Sequence, residues 1–342
     1  MQSKSATPPI SAAPPSVSVL GLGNWGTALA NHLGRKGLPV LGWSNQAEIV
    51  SAINANHLNP SALKNISLSD NFRATSNIED TFDSEFIVLA VPSKALSDVV
   101  PKLKISGAHT LVSVIKGMEL ATLLTPLQFI ASKLPGEIKS CVLSGPSFAD
   151  DVTAGKPCGV VAASKDESVA RAVAELFSGD TMKVYVSTDP LGVELGGIVK
   201  NIIALAAGVS DGLGYGDSAR AGLITRGLAE IVRFAEALGA DRMTLFGLSG
   251  LGDLAMTASS DLSRNRTVGL RLGRGEKLPE ILASLGSVSE GVHTAPIILQ
   301  LSKRYGIEMP ITERVVSLLE GHDTPATMAK ALLSRPIKRE FQ

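Results

Sequence analysis

The sequence predicts an α/β protein: a mostly parallel sheet covered by helices, followed by an all-helical domain. Three observations carry this prediction. Short β-branched apolar runs alternate with helix-like stretches from Val17 to about Val186. A glycine-rich turn, Gly21-Leu22-Gly23-Asn24-Trp25-Gly26, joins the first run to the first helix. Beyond Asp189-Pro190 the strand pattern ends and helical periodicity takes over. Strands that are apolar almost throughout, separated by helices, suit a parallel sheet buried on both faces.

Met1 to Ser16 is rich in Ser, Ala and Pro and holds one lysine. It lacks the apolar stretch of a secretory signal, so residues 1–16 are expected to be a disordered tail. Strands are expected at Val17–Leu20, Pro39–Trp43, Phe86–Val91, Thr110–Ile115, Lys139–Leu143, Gly159–Ala163 and Lys183–Val186. Helical patterns at Thr27–Arg35, Lys94–Leu103 and Glu167–Phe177 lie between them. Residues 17–189 thus form a first domain. Residues 190–342 form a helical second domain, with helices at Leu191–Gly208, Ser218–Leu238, Leu278–Leu285, Thr294–Tyr305, Ile311–Leu319 and Thr324–Leu333. No internal repeat is found.

At 342 residues the chain has room for two cores. Lys+Arg and Asp+Glu both number 32, which disfavours a nucleic-acid partner. The 4% aromatic content argues against base-stacking platforms. Cys141 and Cys158 form neither a CxxC pair nor a disulfide framework and read as small core residues of a cytoplasmic protein. The apolar run around Lys200 is shorter than the roughly 20 residues of a membrane span and contains Lys and Asn, so no membrane insertion is expected. His32, His57, His109, His293 and His322 show no metal-ligand spacing, and no metal is predicted. No G-x-S-x-G elbow of a serine hydrolase is present.

Gly21, Gly23 and Gly26 fit G-x-G-x-x-G in the required setting of strand, turn and helix. The first glycine permits the tight turn, the second lets the backbone approach a pyrophosphate, and the third allows close helix–strand packing. The helix N-terminus then offers unpaired N–H groups to the phosphates. This is a Rossmann-type signature, and it predicts NAD or NADP. The second strand ends in Trp43-Ser44-Asn45-Gln46, about 20 residues beyond the glycines, where ribose selectivity is usually set. Neither a carboxylate nor an arginine stands there, so the sequence does not choose between the two cofactors.

Lys200 is the lone cation of the most apolar stretch, Leu195 to Ala207. Burial lowers a lysine pKa and makes the amine a usable acid or base. The plainer reading is a lysine that snorkels to the surface. Lys200 lies close to the expected domain boundary, where ligand clefts are common.

With these residues in view, the chain resembles the bacterial type of NAD(P)-dependent glycerol-3-phosphate dehydrogenase over nearly its whole length. The resemblance rests on Gly21–Gly26, Val114–Glu119, Leu143–Ala149, Glu194–Gly197 leading to Lys200–Ala204, Gly208–Gly216, Gly250–Leu254, Ser263–Arg266 and Ser289–Val292. It implies interconversion of dihydroxyacetone phosphate and sn-glycerol 3-phosphate, feeding glycerophospholipid synthesis, with the active site between the domains. It implies Lys200 as proton donor or acceptor. Lys116, Gly145, Ser147, Asp253, Ser263, Arg264 and Asn265 are implied to contact substrate. Asn24, Trp25, Asn45, Lys116, Ala149, Arg264, Val288 and Glu290 are implied to contact cofactor. Asn45 departs from the basic or imidazole side chain frequent at that position.

Each role has a chemical rationale. Hydride addition to a ketone leaves negative charge on oxygen, which an ammonium both stabilises and protonates. Lys116 follows a strand at the expected carboxyl edge of the sheet, and two nearby amines depress each other's pKa. Asp253 suits an ion pair with Lys200, or a helix N-cap. Ser263, Arg264 and Asn265 offer hydroxyl, guanidinium and amide donors suited to a dianionic phosphate. Two other readings are a related β-hydroxyacid dehydrogenase and a non-catalytic dinucleotide sensor. The apolar helical domain suits a homodimer.

Overall fold

The computed structural model describes residues 16–64, 66–285, 289–337 and 339–340. Most of the expected tail, together with Val288, lies outside the described residues.

Eight strands form one sheet: β1 (Val17–Leu20), β2 (Val40–Trp43), β3 (Phe72–Thr75), β4 (Phe86–Leu89), β5 (Thr110–Ser113), β6 (Lys139–Ser144), β7 (Cys158–Ala163) and β8 (Met182–Ser187). Their order is β3-β2-β1-β4-β5-β6-β7-β8, and only the β6–β7 pair is antiparallel. Six short helices accompany them: α1 (Asn24–Arg35), α2 (Ala47–Asn56), α3 (Leu96–Val99), α4 (Pro126–Lys133), α5 (Ala149–Thr153) and α6 (Glu167–Phe177). Period-2 alternation divides the strand residues between two cores. Val17, Val19, Val88 and Val112 pack with Leu29 and Leu33 of α1 and Val173 and Phe177 of α6. Leu20, Ile87, Leu89 and Leu111 pack with Leu96 of α3 and Phe129 and Ile130 of α4 on the other face.

Strand β3 was not expected from the sequence. Its alternating Phe-Arg-Ala-Thr is half polar because it is an edge strand, pairing only with β2. Strand β4 ends at Leu89 rather than Val91, since Ala90 turns to pass beneath Gly21. The helix expected at Lys94–Leu103 is instead a single α turn, α3, between two 3₁₀ turns, and Pro101 lacks the N–H to continue it. Cys141 is fully buried in the sheet core, where desolvation pushes its thiol up to about 12. Cys158 is half-buried and also shifted upward by burial.

The remaining elements are helical: α7 (Pro190–Gly212), α8 (Gly216–Ala237), α9 (Arg242–Leu245), a π turn (Leu248–Gly252), α10 (Asp253–Ser259), α11 (Arg264–Gly273), α12 (Leu278–Leu285), α13 (Glu290–Arg304), α14 (Pro310–Leu319) and α15 (Pro325–Leu333). Asp189 caps α7 by accepting the Gly192 N–H. Helix α7 is the axle of the group, buried from Gly192 to Ser210 with α8, α10, α11, α13 and α14 around it. It is 23 residues long, which extends the Leu191–Gly208 helix expected from sequence. Among the described residues it is the one helix long and apolar enough to cross a membrane, yet that window is wholly inside the protein.

Gly208 does not end α7. A Cβ at Gly208 or Gly212 would strike the carbonyls of Arg266 and Leu270, and one at Gly269 or Gly273 would strike those of Leu205 and Val209. The two helices therefore press backbone against backbone along a four-glycine seam. A methyl forced into such a contact costs about 1–3 kcal/mol or more.

Candidate active site

The glycine turn is built as its spacing requires. Gly21 adopts φ +101°, and a Cβ there would lie 2.8 Å from the Ala90 carbonyl oxygen. A Cβ on Gly26 would overlap the Gly21 carbonyl, so α1 can enter only without one. Gly23 faces open space, with nothing within 4 Å of its Cβ direction. Helix α1 starts at Asn24 with no side-chain cap and no acidic residue in its first turn, leaving its positive end to an anion. The indole Nε1 of Trp25 is buried without a partner among the described residues. An open second glycine, an uncapped helix start and an unpaired donor fit a dinucleotide phosphate. Ala149 opens α5, which packs on α1. Asn45 and Gln46 are exposed after β2.

Helix α7 begins where β8 ends and packs Val193 on Val142 and Ala163. It passes the end of β6 at Gly197, where a Cβ would touch the Ser144 hydroxyl, and carries Lys200 one turn further. Lys200 is 5% exposed, so it does not snorkel. Its Nζ donates to Asp253 Oδ1 and, over 2.7 Å, to Thr257 Oγ1. Lys116, in the loop after β5, donates to the other oxygen of Asp253 (2.6 Å) and to the Gly145 carbonyl (3.2 Å). Ser147 Oγ donates to the same carbonyl over 3.1 Å. One fully buried carboxylate thus holds two amines from the two halves of the chain.

The charges explain the titration. Burial drives the Lys200 pKa down to about 7, Asp253 opposes this and Lys116 adds to it. Asp253 is held below the ordinary carboxylate range by Lys116 and Lys200 despite its burial. Two amines and one carboxylate leave an excess positive charge inside the protein when both amines are protonated.

Asp253 owes its place to the π turn before it. A Cβ on Gly196 of α7 would lie 2.7 Å from the Ser249 carbonyl oxygen, and one on Gly250 would overlap Leu245. These glycines let the turn settle against α7 opposite Lys200. The N-cap position of α10 is Gly252, and the Asp253 side chain turns to the amines. Thr257 lies one turn on, donating to the Asp253 carbonyl (2.6 Å) while accepting from Lys200.

The side chains of Ser263, Asn265 and Arg266 take different partners within the protein. Ser263 is buried and caps α11 by accepting the Arg266 N–H. Arg266 is tied to Asp211 and Asp261. Asn265 donates to Asn201 Oδ1 (2.9 Å) and accepts from Ser289 Oγ (2.6 Å) and the Gly291 N–H (3.0 Å). Asn201 in turn donates to the Lys116 carbonyl (3.3 Å), so this amide chain fixes the lysine loop against α11 and α13. Arg264 alone of the four is exposed. The protein around it still lowers its pKa, opposed by Glu290. Glu290, at the start of α13, accepts from the Ser93 N–H (3.1 Å) and Ser93 Oγ (2.6 Å) in the loop after β4.

Sequence reading missed Thr257, Ser93 as the partner of Glu290, and the use made of Glu194. Glu194 is buried on α7, accepts the Leu127 N–H (2.9 Å) and thereby anchors α4 at the end of the lysine loop. Burial raises its carboxyl pKa to about 7. An acid immediately before the long apolar run was the available signal.

Comparison with known proteins agrees with this architecture. The family model for the N-terminus of NAD-dependent glycerol-3-phosphate dehydrogenase matches residues 16–170, and that for its C-terminus matches residues 189–330. A glycerol-3-phosphate dehydrogenase [NAD(P)+] of Geobacter sulfurreducens is 46% identical over 95% of this chain and 98% of its own. One of Nitratidesulfovibrio vulgaris is 43% identical over 95% and 99%. The crystal structure of glycerol-3-phosphate dehydrogenase from Coxiella burnetii superposes with a TM-score of 0.90 at 36% identity, covering 94% of this chain and 99% of that one. With matches that span both the sheet and the helices, this chain belongs to the NAD-dependent glycerol-3-phosphate dehydrogenase family.

Proposed function

We propose that this protein interconverts dihydroxyacetone phosphate and sn-glycerol 3-phosphate with NAD or NADP, and that Lys200 moves the proton. The observation that carries the reading is the buried Lys116–Asp253–Lys200 cluster, held between the sheet and the helical domain. Residues 17–189 serve as the dinucleotide domain and residues 190–342 as the substrate domain.

Gly21, Gly23, Asn24, Trp25, Gly26, Asn45, Ala149 and Glu290, with Val288, are the residues that would hold the dinucleotide. The nicotinamide supplies hydride chemistry when bound. Lys200 donates a proton to the substrate oxygen as negative charge develops there, and takes it back from the hydroxyl in the other direction. Its pKa of about 7 suits both tasks near neutrality. Asp253 aims the amine and limits the fall in its pKa. Lys116 presents a second positive charge, and Gly145 and Ser147 shape the same wall. Arg264 meets the phosphate dianion, with Ser263 and Asn265 setting the start of α11. Asn45 and Gln46 carry no charge to select for or against a 2′-phosphate. The product is a precursor for glycerophospholipids, the setting is the cytoplasm, and the working unit is a homodimer.

Steady-state rates with dihydroxyacetone phosphate, dihydroxyacetone and several keto acids, using each reduced cofactor, test the proposal. The phosphorylated ketone is expected to be preferred by orders of magnitude. Lys200→Met is expected to keep cofactor affinity while turnover falls by about 10²–10⁴-fold. Equal use of the unphosphorylated ketone would remove Arg264 from its role, and unchanged turnover would remove Lys200.

A further inference from the structure

Asp211, on the last turn of α7, joins three helices away from the amine cluster. Its Oδ2 accepts from Arg266 of α11 through both Nε (2.8 Å) and Nη2 (2.7 Å). Arg220 of α8 donates from Nη1 to both carboxylate oxygens, over 3.0 Å each. The Asp211 and Arg266 side chains are 8% and 10% exposed, so solvent and salt screen this pair little. The second tie of Arg266 runs to Asp261 (2.5 Å), a carboxylate 96% exposed, and adds little.

The buried pair acts at one end of α11. Arg266 lies in the first turn, where its backbone N–H also completes the Ser263 cap. Arg264 shares that turn. Its side chain makes no hydrogen bond or ion pair among the described residues. The course of α11 therefore sets the point from which its guanidinium reaches out. The four-glycine seam brings α7 and α11 together, and the Asp211–Arg266 pair ties down the turn that carries Arg264. Asp211 also occupies the Arg266 guanidinium, which leaves Arg264 as the cation of this segment available to an anion.

We propose that Asp211 is a positioning residue for the substrate phosphate: through Arg266 it holds the first turn of α11 so that Arg264 meets the dianion. This rests on the phosphate role given to Arg264 above. A guanidinium gains its paired charge-assisted bonds to a phosphate only in a fixed alignment. Misplacement of such a clamp by an ångström weakens the grip on the far end of a substrate.

The test compares kcat and KM for dihydroxyacetone phosphate and for dihydroxyacetone at saturating reduced cofactor. Asp211→Asn is expected to lower kcat/KM for the phosphorylated ketone by about 10- to 100-fold, mainly through KM, the scale of one charge-assisted bond. Rates on dihydroxyacetone, which has no phosphate to hold, should stay nearly unchanged. Arg266→Lys keeps the charge but cannot give the two-nitrogen contact, so it should show the same selective loss. It supplies the reading if Asp211→Asn does not fold. Arg220→Met removes the α8 arm and leaves the Arg266 pair in place; it should lower Tm without a selective loss. Arg264→Ala sets the reference for losing the phosphate contact itself. A selective loss in Arg264→Ala, with equal losses on the two ketones or none in Asp211→Asn and Arg266→Lys, would make the pair purely structural and overturn the proposal. A selective loss in Arg220→Met as large as in Arg266→Lys would also overturn it. No selective loss in Arg264→Ala would instead overturn the phosphate reading on which it rests.

Discussion

Replacing Asp253 by Asn tests the amine cluster most directly. The carboxylate is fully buried and accepts from both Lys116 and Lys200. An opposite charge at this range raises an amine pKa by about 1–3 units. Its loss lowers the Lys200 pKa from about 7 by that amount, with the charge of Lys116 still opposing protonation. Near pH 7 the protonated fraction falls from about one half to between about one tenth and one thousandth. Reduction of dihydroxyacetone phosphate requires the protonated amine, so kcat there should drop roughly 5- to 500-fold, equivalent to about 1–4 kcal/mol. The assay is kcat against pH, followed by loss of reduced-nicotinamide absorbance. In the wild type, kcat for reduction is expected to fall as pH rises through about 7. In the variant the fall should shift to lower pH, so acidification partly restores activity. A thermal melt is needed beside it, because removing one partner of a buried pair destabilises by about 3–5 kcal/mol. A variant whose midpoint stays near 7, or whose loss is the same at every pH, would refute the reasoning.

Two other perturbations follow from the same geometry. Glu230 of α8 accepts from the backbone N–H groups of Ile311 and Thr312 at the start of α14, and burial raises its pKa from 4.5 to about 7. The folded state therefore holds a proton that the unfolded state releases. Stability from this group is full below about pH 4.5 and is lost as pH rises through about 7, by roughly 3 kcal/mol. Glu230→Gln should flatten the pH dependence of Tm over that interval, and an unchanged slope would count against it. Ser93→Ala removes the 2.6 Å bond to Glu290. The expected result is a rise of about 10-fold in KM for the reduced cofactor with kcat nearly unchanged, reversed in Ser93→Thr.

The legible parts of the molecule were those where one physical demand dominates a residue. Strands β1, β4 and β5 are nearly pure apolar runs because both faces are covered. Gly21 and Gly26 are required by sterics, and Gly23 leaves open the space a dinucleotide phosphate would approach. Lys200 stood out because a cation in an apolar helix has few explanations. Helices α10 and α11 were not legible, since Arg-Asn-Arg-Thr-Val-Gly-Leu-Arg-Leu-Gly reads as a polar, glycine-broken turn. Its glycines are contacts, not breaks, and nothing local distinguishes the two. Ser263, Arg264 and Asn265 were grouped as donors by adjacency, whereas successive helical positions diverge, sending Ser263 to a cap and Asn265 to an amide chain. Thr257 and Ser93 gain meaning only through residues distant in sequence, which a single chain read linearly does not reveal.

The seam of Gly208, Gly212, Gly269 and Gly273 leaves no play between α7 and α11. Lys200 rides on the first helix and Arg264 opens the second, so both belong to one stiff body. On the proposed roles, that body is a ruler: the reaction end and the anion end of the substrate are gauged by the spacing of two helices pressed backbone to backbone. Chain length in the substrate would then be read by the skeleton itself, and widening the repertoire to longer phosphates would mean prying these helices apart before touching any residue in the pocket.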